Sequence, residues 1–545
     1  MKLDRLSHGL YLALLFLPLT TMLCSLLNSA APLPSLALPQ SESVTPSLQT
    51  SPEQNFTLEP LPTGTSSSGT VDKKVYYVAP FGDDTNAGSL DKPWRTIQKA
   101  ADSLVAGESV YIREGTYPER VRPKNSGKAG EEIVYMAFPG ERVVIDGRNI
   151  HLPDDLVGLF EIAHQKHLRV SGLHVINSGP YPDNAAILVI NSEHITLENN
   201  TTFNSASSGI GVWNSHEIVI AGNTIEQAGV SGGQECITVA TTSGFEVRDN
   251  LIVDCQKEGI DAKDGSSHGI IVHNVVAHPL KVGIYVDAWD KPTQDITVSR
   301  NTVFDSVESS GFAIASEMGG LLSNIRLENN VTYHNHTYGI EVSACCSGDH
   351  PMDGIVIVNN TLYQNGIGWG GGIIQDNAQA QQVIIRNNIL SQNLTFQIAV
   401  AADVPEDSVQ VDHNLIDGFR GYEDEVYGED YLEGEAGFLN PTALDFHLSP
   451  TSPAIDQGSP FQAPTTDFDG DLRPFGSGYD IGADEWHKAI YLPLISSELE
   501  TCPISLCQGS RGVVSAINSD VLGRCNVVKW LFKHLYDLYW REDFL

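Results

Sequence analysis

Basic residues are scarce in this sequence. Its 545 residues hold 32 Lys and Arg against 68 Asp and Glu, a formal net charge of −36. Nucleic-acid binding relies on a basic surface that displaces counterions from phosphates, so no nucleic-acid partner is expected. The 8 cysteines form no CxxC pair and no Cys/His run with metal-ligand spacing, which removes the zinc-knuckle and thioredoxin classes. Only residues 10–27 approach the roughly 20 apolar residues needed to cross a bilayer, and no membrane partner is expected beyond that segment. Helical periodicity is also rare, so α-helical repeats are excluded. What the chain has instead is 49 glycines and many Asn, Ser and Thr, the composition of a turn-rich β protein.

Residues 1–31 read as a secretory leader. Lys2 and Arg5 give a positive start, an apolar stretch follows, and Ser29-Ala-Ala31 offers small residues for cleavage. Residues 32–71 are rich in Pro, Ser and Thr without periodicity and read as a disordered linker. Residues 72–486 read as one β domain with terminal caps, and 487–545 as a tail of unknown role. Within the domain, Pro93 to Asp102 brings Trp94, Ile97, Ala100 and Ala101 onto one helical face, continued by Leu104. This predicts a helix capping the exposed end of a strand stack.

From Leu168 the chain repeats. Each unit reads apolar-x-apolar-x-x-Asn, then a polar turn, then Gly-Ile-x-apolar. The asparagines are Asn200, Asn223, Asn250, Asn274, Asn301, Asn330, Asn360, Asn388 and Asn414. Asn274 falls one residue early and marks an irregular coil. Short β segments repeating at this length predict a solenoid, with the asparagines bonding backbone and one another at a tight corner. After Asn414 the repeat fades into an acidic loop over 421–435. The segments from Phe438 to Glu485 are expected to close the C-terminal end. Cys236 and Cys255 are placed to pair, although as buried stack residues they need not.

Three fragments carry the candidate chemistry: Glu235-Cys-Ile-Thr-Val239, Glu258-Gly-Ile-Asp-Ala-Lys-Asp-Gly265 and Gly283-Ile-Tyr-Val-Asp-Ala-Trp-Asp290. Aligned on Ile237, Ile260 and Ile284, they stack Glu235 over Glu258, Thr238 over Asp261 over Tyr285, and Ala240 over Lys263 over Asp287. Alternate residues of a strand share a face, and stacked strands lie about 4.8 Å apart. With Ile260 inward, Asp261 and Lys263 point outward and form one patch with Tyr285 and Asp287. Carboxylates beside a lysine suggest a cation site next to a base.

These residues resemble secreted right-handed parallel β-helix proteins over roughly residues 74–486. The opening Tyr76-Tyr-Val-Ala-Pro-Phe-Gly-Asp-Asp84, with Pro93-Trp-Arg-Thr-Ile97 and Gly115-Thr-Tyr117, is similar to the entry segment of polysaccharide lyases of family 9. The ending Asp467-Phe-Asp-Gly-Asp-Leu-Arg473 with Asp480-Ile-Gly-Ala-Asp-Glu485 is common in such proteins. The calcium-binding Asp-Asp-Gly-Phe-Asp segment of that family corresponds to Lys257-Glu258-Gly259-Ile260-Asp261. There two acids match and Lys257 departs. Tyr285 stands where the family's catalytic lysine follows Gly-Phe. Family 6 lyases place a calcium-binding glutamate five residues before a catalytic lysine, a spacing that Glu258 and Lys263 match; the neighbouring arginine of that family has no counterpart.

The resemblance implies an all-β right-handed parallel β-helix that cleaves an acidic polysaccharide, a pectate-like or alginate-like uronate polymer, by calcium-dependent β-elimination. It is expected to act outside the cell as a monomer. Calcium takes six to eight oxygen ligands. Glu235, Glu258 and Asp261 are the expected metal ligands, Lys263 the base if burial and calcium lower its pKa, and Tyr285 or Asp287 an acid or further ligand. Two other readings use the same scaffold. Glycoside hydrolysis would pair Asp261 with Asp287, or Asp264 with Glu317, although the Gly-His-Gly and Arg-Ile-Lys segments of polygalacturonases are missing, as is the Tyr-Gly-Phe-Asp-Pro-His motif of epimerases. A non-catalytic glycan binder would use Trp213, Trp289 and Trp369.

Overall fold

The alternation of apolar and polar residues resolves into three long sheets wound as a right-handed β-helix. The structure is a computed structural model that describes residues 74–344 and 348–487. The leader, the linker, Cys345, Cys346 and the tail beyond His487 lie outside the described residues. The first sheet has 14 strands, from Val75–Val78 to Val409–Asp412; the second has 13, from Gly115–Tyr117 to Leu432–Glu433; the third has 10, from Val157–Ala163 to Ile398–Val400. Neighbouring strands within these sheets run parallel, each one coil away in sequence, and Phe438–Asn440 pairs antiparallel with Asp445–Leu448.

The Gly-Ile motif sets the register of the third sheet. Ile210, Ile237, Ile260, Ile284, Phe312, Ile340, Ile373 and Ile398 follow one another across the strand pairs and are all at most 1% exposed. Each such side chain contributes about 1.5–3 kcal/mol when fully buried. The preceding glycine is a steric demand of the tight entry to the strand. A Cβ at Gly283 would lie 2.1 Å from Val303 Cγ1 and 2.6 Å from the Gly311 carbonyl oxygen.

The asparagine ladder forms at the corner between the first and second sheets. Asn301 Oδ1 accepts from the backbone and side-chain nitrogens of Asn274 at 2.9 and 3.0 Å, and Asn301 Nδ2 donates to the Ile271 carbonyl at 2.9 Å and to Asn330 Oδ1 at 3.0 Å. The same pattern runs from Asn200 to Asn414. The residue before each ladder asparagine is often left-handed, as at Asn199, Asp249 and His273, with φ near +55°. Short polar side chains tolerate that conformation better than β-branched ones. Asn274 is a correction to the sequence reading, because it keeps ladder register on both sides. The apparent irregularity arises from Gly269, which occupies the inward position between Phe245 and Ile296 while Ile270 faces outward, 48% exposed. The Phe245 ring fills the space that a Gly269 side chain would need.

The helix is shorter than expected, Ile97–Ser103, with Ile97, Ala100 and Ala101 buried and the Thr96 side chain accepting from the Lys99 amide. The C-terminal segments also differ from the expectation. The acidic stretch pairs its backbone with the last coil: Val426, Glu429 and Leu432 donate to Ile398, Val411 and Asn414 carbonyls at 2.9 Å. Val426 and Tyr427 pack on the main core between its charges. The later segment docks along the flank, where Asn329, Asn359 and Asn387 donate to the carbonyls of Thr466, Asp480 and Ser459. The Arg473–Glu485 ion pair, 2.9 Å long and fully buried, fastens this segment to itself.

Candidate active site

The third sheet's outward column brings the candidate residues together. The registers Thr238–Asp261–Tyr285 and Ala240–Lys263 hold as expected. Two coils earlier the same outward column carries Trp213, paired with Ala240. One coil later, Ala313 and Ala315 lie beside Tyr285 and Asp287. The patch is far less exposed than a free sheet face: Glu235, Asp261, Asp287 and Tyr285 are 1%, 2%, 5% and 9% exposed.

Glu235 is the hub. Lys263 Nζ lies 2.8 Å from its Oε2, Lys257 Nζ lies 3.2 Å from its Oε1, and Thr238 Oγ1 donates to Oε2 at 2.8 Å. Lys263 also reaches Asp261 Oδ2 at 3.3 Å, and Lys257 reaches Glu258 Oε2 at 3.7 Å. A disulfide between Cys236 and Cys255 holds the segment bearing Glu235 against the one leading to Glu258. Cys236 directly follows Glu235 in the chain, so the bridge limits how far that carboxylate can move. On the other side of the cluster, the Tyr285 hydroxyl donates to Glu317 Oε1 at 2.6 Å.

The electrostatics follow from this geometry. Burial pushes the Glu235 carboxyl up, but Lys263 and Lys257 outweigh it and hold it below the ordinary range. Burial pulls the Lys263 ammonium down, but Asp261 and Glu235 outweigh that and raise it. Lys257 is raised for the same reason by Glu235 and Glu258. Burial, and then Asp287, drive Asp261 well above the carboxylate range. Burial and Glu317 push Asp287 up to about 8 against the pull of Lys263. Burial, Asp287 and Glu317 raise the Tyr285 phenol. Asp261 Oδ1 and Asp287 Oδ1 are buried with no hydrogen-bond donor among the described residues.

Two expectations change. A lysine takes up a proton only from its neutral form, and without an ion Asp261 and Glu235 hold Lys263 as an ammonium, a form suited to charge neutralisation; the base role expected for it is tied to a bound calcium. The second change concerns calcium. Each expected ligand, Glu235, Glu258 and Asp261, has an oxygen within ion-pair distance of a lysine nitrogen, the Glu258 contact being long at 3.7 Å and without a hydrogen bond. A divalent ion 4 Å from one ammonium is repelled by about 8 kcal/mol at an effective dielectric of about 20. Two such ammonium groups stand among the donors, and the set does not fit calcium.

The hydrolase pairing of Asp264 with Glu317 also dissolves. Asp264 binds Lys291 Nζ at 2.8 Å, and Glu317 belongs to Tyr285. The partnership of Glu317 with Tyr285 escaped the sequence reading. Its signal was available: alternation from Ala313 and Ala315 carried two residues further puts Glu317 on the same face. Trp213 is half-buried above Gly211, whereas Trp289 and Trp369 are 48% and 53% exposed.

Comparison with known proteins places this architecture. The family model of the Pel9A-like right-handed β-helix region matches residues 76–388. The uncharacterized protein YwoF of Bacillus subtilis (strain 168) is 27% identical over 436 residues, covering 69% of this chain and 91% of that protein. Pectate lyase L of Dickeya dadantii (strain 3937) is 24% identical over 450 residues, covering 77% of this chain and 92% of the relative. Among solved structures, XylC in complex with xylose matches with a TM-score of 0.52 at 14% identity, over 75% of this chain and 98% of that one, a likeness of fold.

Proposed function

The chain belongs to the Pel9A-like right-handed β-helix family, and from that premise we propose that it is a polysaccharide lyase cleaving a uronate polymer by β-elimination. The observation that carries the reading is the buried cluster in which Lys263 bridges Glu235 and Asp261 beside Asp287 and the Tyr285–Glu317 pair. The pectate lyase relative supports the substrate class. We take residues 1–31 as a secretory leader, which goes with action outside the cell, and the monomer as the working unit.

The chemistry assigns one task to each group. The uronate carboxylate lies against Lys263, whose ammonium neutralises the charge that grows as carbon 5 loses its proton. Asp287, raised to about 8, takes that proton, since a base works best when its pKa lies near the working pH. The C5–H bond breaks, the C4–C5 double bond forms and the C4–O4 bond breaks. The Tyr285 hydroxyl gives its proton to the departing O4, and Glu317 orients that hydroxyl. Trp213, two coils or about 9.6 Å along the sheet, offers a face on which a neighbouring sugar ring stacks.

The test is incubation with pectate, alginate and chondroitin while following absorbance at roughly 235 nm, the band of the unsaturated product left by proton abstraction. Growth of that band on one polymer is the expected result. New reducing ends without the band would point to hydrolysis by the Asp261 and Asp287 carboxyls. Saturable binding with neither product would leave a glycan-binding protein.

A further inference from the structure

We propose that Lys257 and Lys263 are a built-in replacement for a divalent ion, so that this centre neutralises its acids and its substrate without calcium. The catalytic part of this inference rests on the lyase reading; the binding part stands apart from it.

The argument is one of occupancy. A cation site among Glu235, Glu258 and Asp261 must place its positive charge between their oxygens. Two ammonium nitrogens already lie there: Lys257 at 3.2 Å from Glu235 Oε1 and 3.7 Å from Glu258 Oε2, and Lys263 at 2.8 Å from Glu235 Oε2 and 3.3 Å from Asp261 Oδ2. Lys257 also donates to the Gly233 carbonyl at 3.5 Å, an oxygen of the kind calcium would otherwise recruit. The lysine side chains are 31% and 19% exposed, and Glu235 is sealed at 2%, so the pairing is an interior one rather than a surface ion pair. The disulfide at Cys236 keeps the Glu235 segment close to both lysines.

The position of Lys257 decides the matter. It stands directly before Glu258, where the aligned lyase segment carries an acid, so one residue removes a ligand and adds a charge of the opposite sign. Lysine offers donors and no acceptor. Its ammonium therefore serves the two glutamates but cannot join them around an ion. Such a centre is charged by its own chain and stays assembled when free calcium is scarce.

The experiment is a calcium titration of the full chain by calorimetry, with thermal melting in calcium and in EGTA, for the wild type, Lys257→Asp and Glu235→Gln. His447, Asp469 and Asp484 form a separate group whose ligand atoms lie within 4.8 Å of one another, so binding counts here only if Glu235→Gln abolishes it. The expected result is no Glu235-dependent calcium binding in the wild type, the same melting shift between EGTA and calcium in the wild type and Glu235→Gln, and a saturable site in Lys257→Asp that raises its melting temperature further. Glu235-dependent binding in the wild type overturns the proposal. Failure of Lys257→Asp to gain a site overturns the role given to Lys257. A wild type that neither binds calcium here nor forms unsaturated product on any polymer would sink the lyase reading while leaving the occupancy argument standing. Where product does form, its rate is expected to be unchanged by EGTA, and a tenfold loss would count against the proposal.

Discussion

Replacing Asp287 by asparagine is expected to stabilise the protein at alkaline pH and to abolish turnover. The folded carboxyl is pushed up to about 8, well above the ordinary carboxylate range, because it is buried and faces Glu317, Glu235 and Asp264, with Lys263 opposing. Asp261 and Tyr285 adjoin it and are raised in turn. The folded state thus holds a proton that the unfolded state releases above pH 4. The stability this group contributes is full below that pH and is lost as pH rises through 8. Asparagine mimics the protonated form at every pH. Its advantage is below about 1 kcal/mol at pH 4, about 3 kcal/mol at pH 6 and about 6 kcal/mol above pH 8, at about 1.4 kcal/mol per pKa unit.

Roughly 400 ordered residues at about 2.1 cal/mol/K each give an unfolding entropy of about 0.9 kcal/mol/K, so about 6 kcal/mol corresponds to about 7 °C. Calorimetric melting of the wild type and Asp287→Asn at pH 4.5 and 8.5 reads this directly. A gap of equal size at both pH values would refute the reasoning, as would a lower melting temperature for Asp287→Asn at pH 8.5. A variant that gains stability while losing product formation shows a stability cost retained for function.

Other perturbations separate scaffold from chemistry. Lys263→Met is expected to lower the rate at least 100-fold, by the precedent of removing one charge-stabilising donor, and to cost about 3–5 kcal/mol by leaving Glu235 and Asp261 underpaired; turnover and melting measure the two effects. Asn301→Ala removes the side-chain donor to the Ile271 carbonyl and the acceptor for the Asn274 backbone and side-chain N–H groups and is expected to cost several kcal/mol, read by denaturant unfolding, with no change in the product. Trp213→Ala is expected to raise KM about 10-fold while kcat holds, because stacking on a remote sugar contributes to binding alone.

The scaffold was legible because it repeats. One misplaced asparagine weighs little against eight others, and the inward isoleucines announce the register wherever a glycine precedes them. Even there, local pattern misled at Gly269, where the inward residue is the one without a side chain and an exposed Ile270 looks like core. The site was legible as a place and less so as a chemistry. Alternation put Asp261, Lys263, Tyr285 and Asp287 on one face, but it says nothing about which acid a flexible lysine selects. Lys257 appeared in the sequence as a flaw in a calcium motif. Its reach to Glu235 depends on the loop geometry set by the Cys236–Cys255 bridge, and a bridge between buried cysteines is not dictated by their spacing.

That difference has a physical root. Strand register is decided by many small apolar contributions that agree with one another. The charge state of the cluster is decided by a few large terms that oppose one another: burial against the attraction of two ammonium groups. Four acids, Glu235, Glu258, Asp261 and Asp287, share two lysines, so the excess negative charge must be met by retained protons or by the substrate's hydroxyl donors. Glu235, with both ammoniums and Thr238, settles as the charged member; Asp287, with Lys263 at its limit and Glu317 against it, is left to exchange a proton near neutrality. The same imbalance that strains the fold at high pH leaves Asp287 a carboxylate able to act as a base there, which is why stability and turnover are expected to move in opposite directions when it is removed.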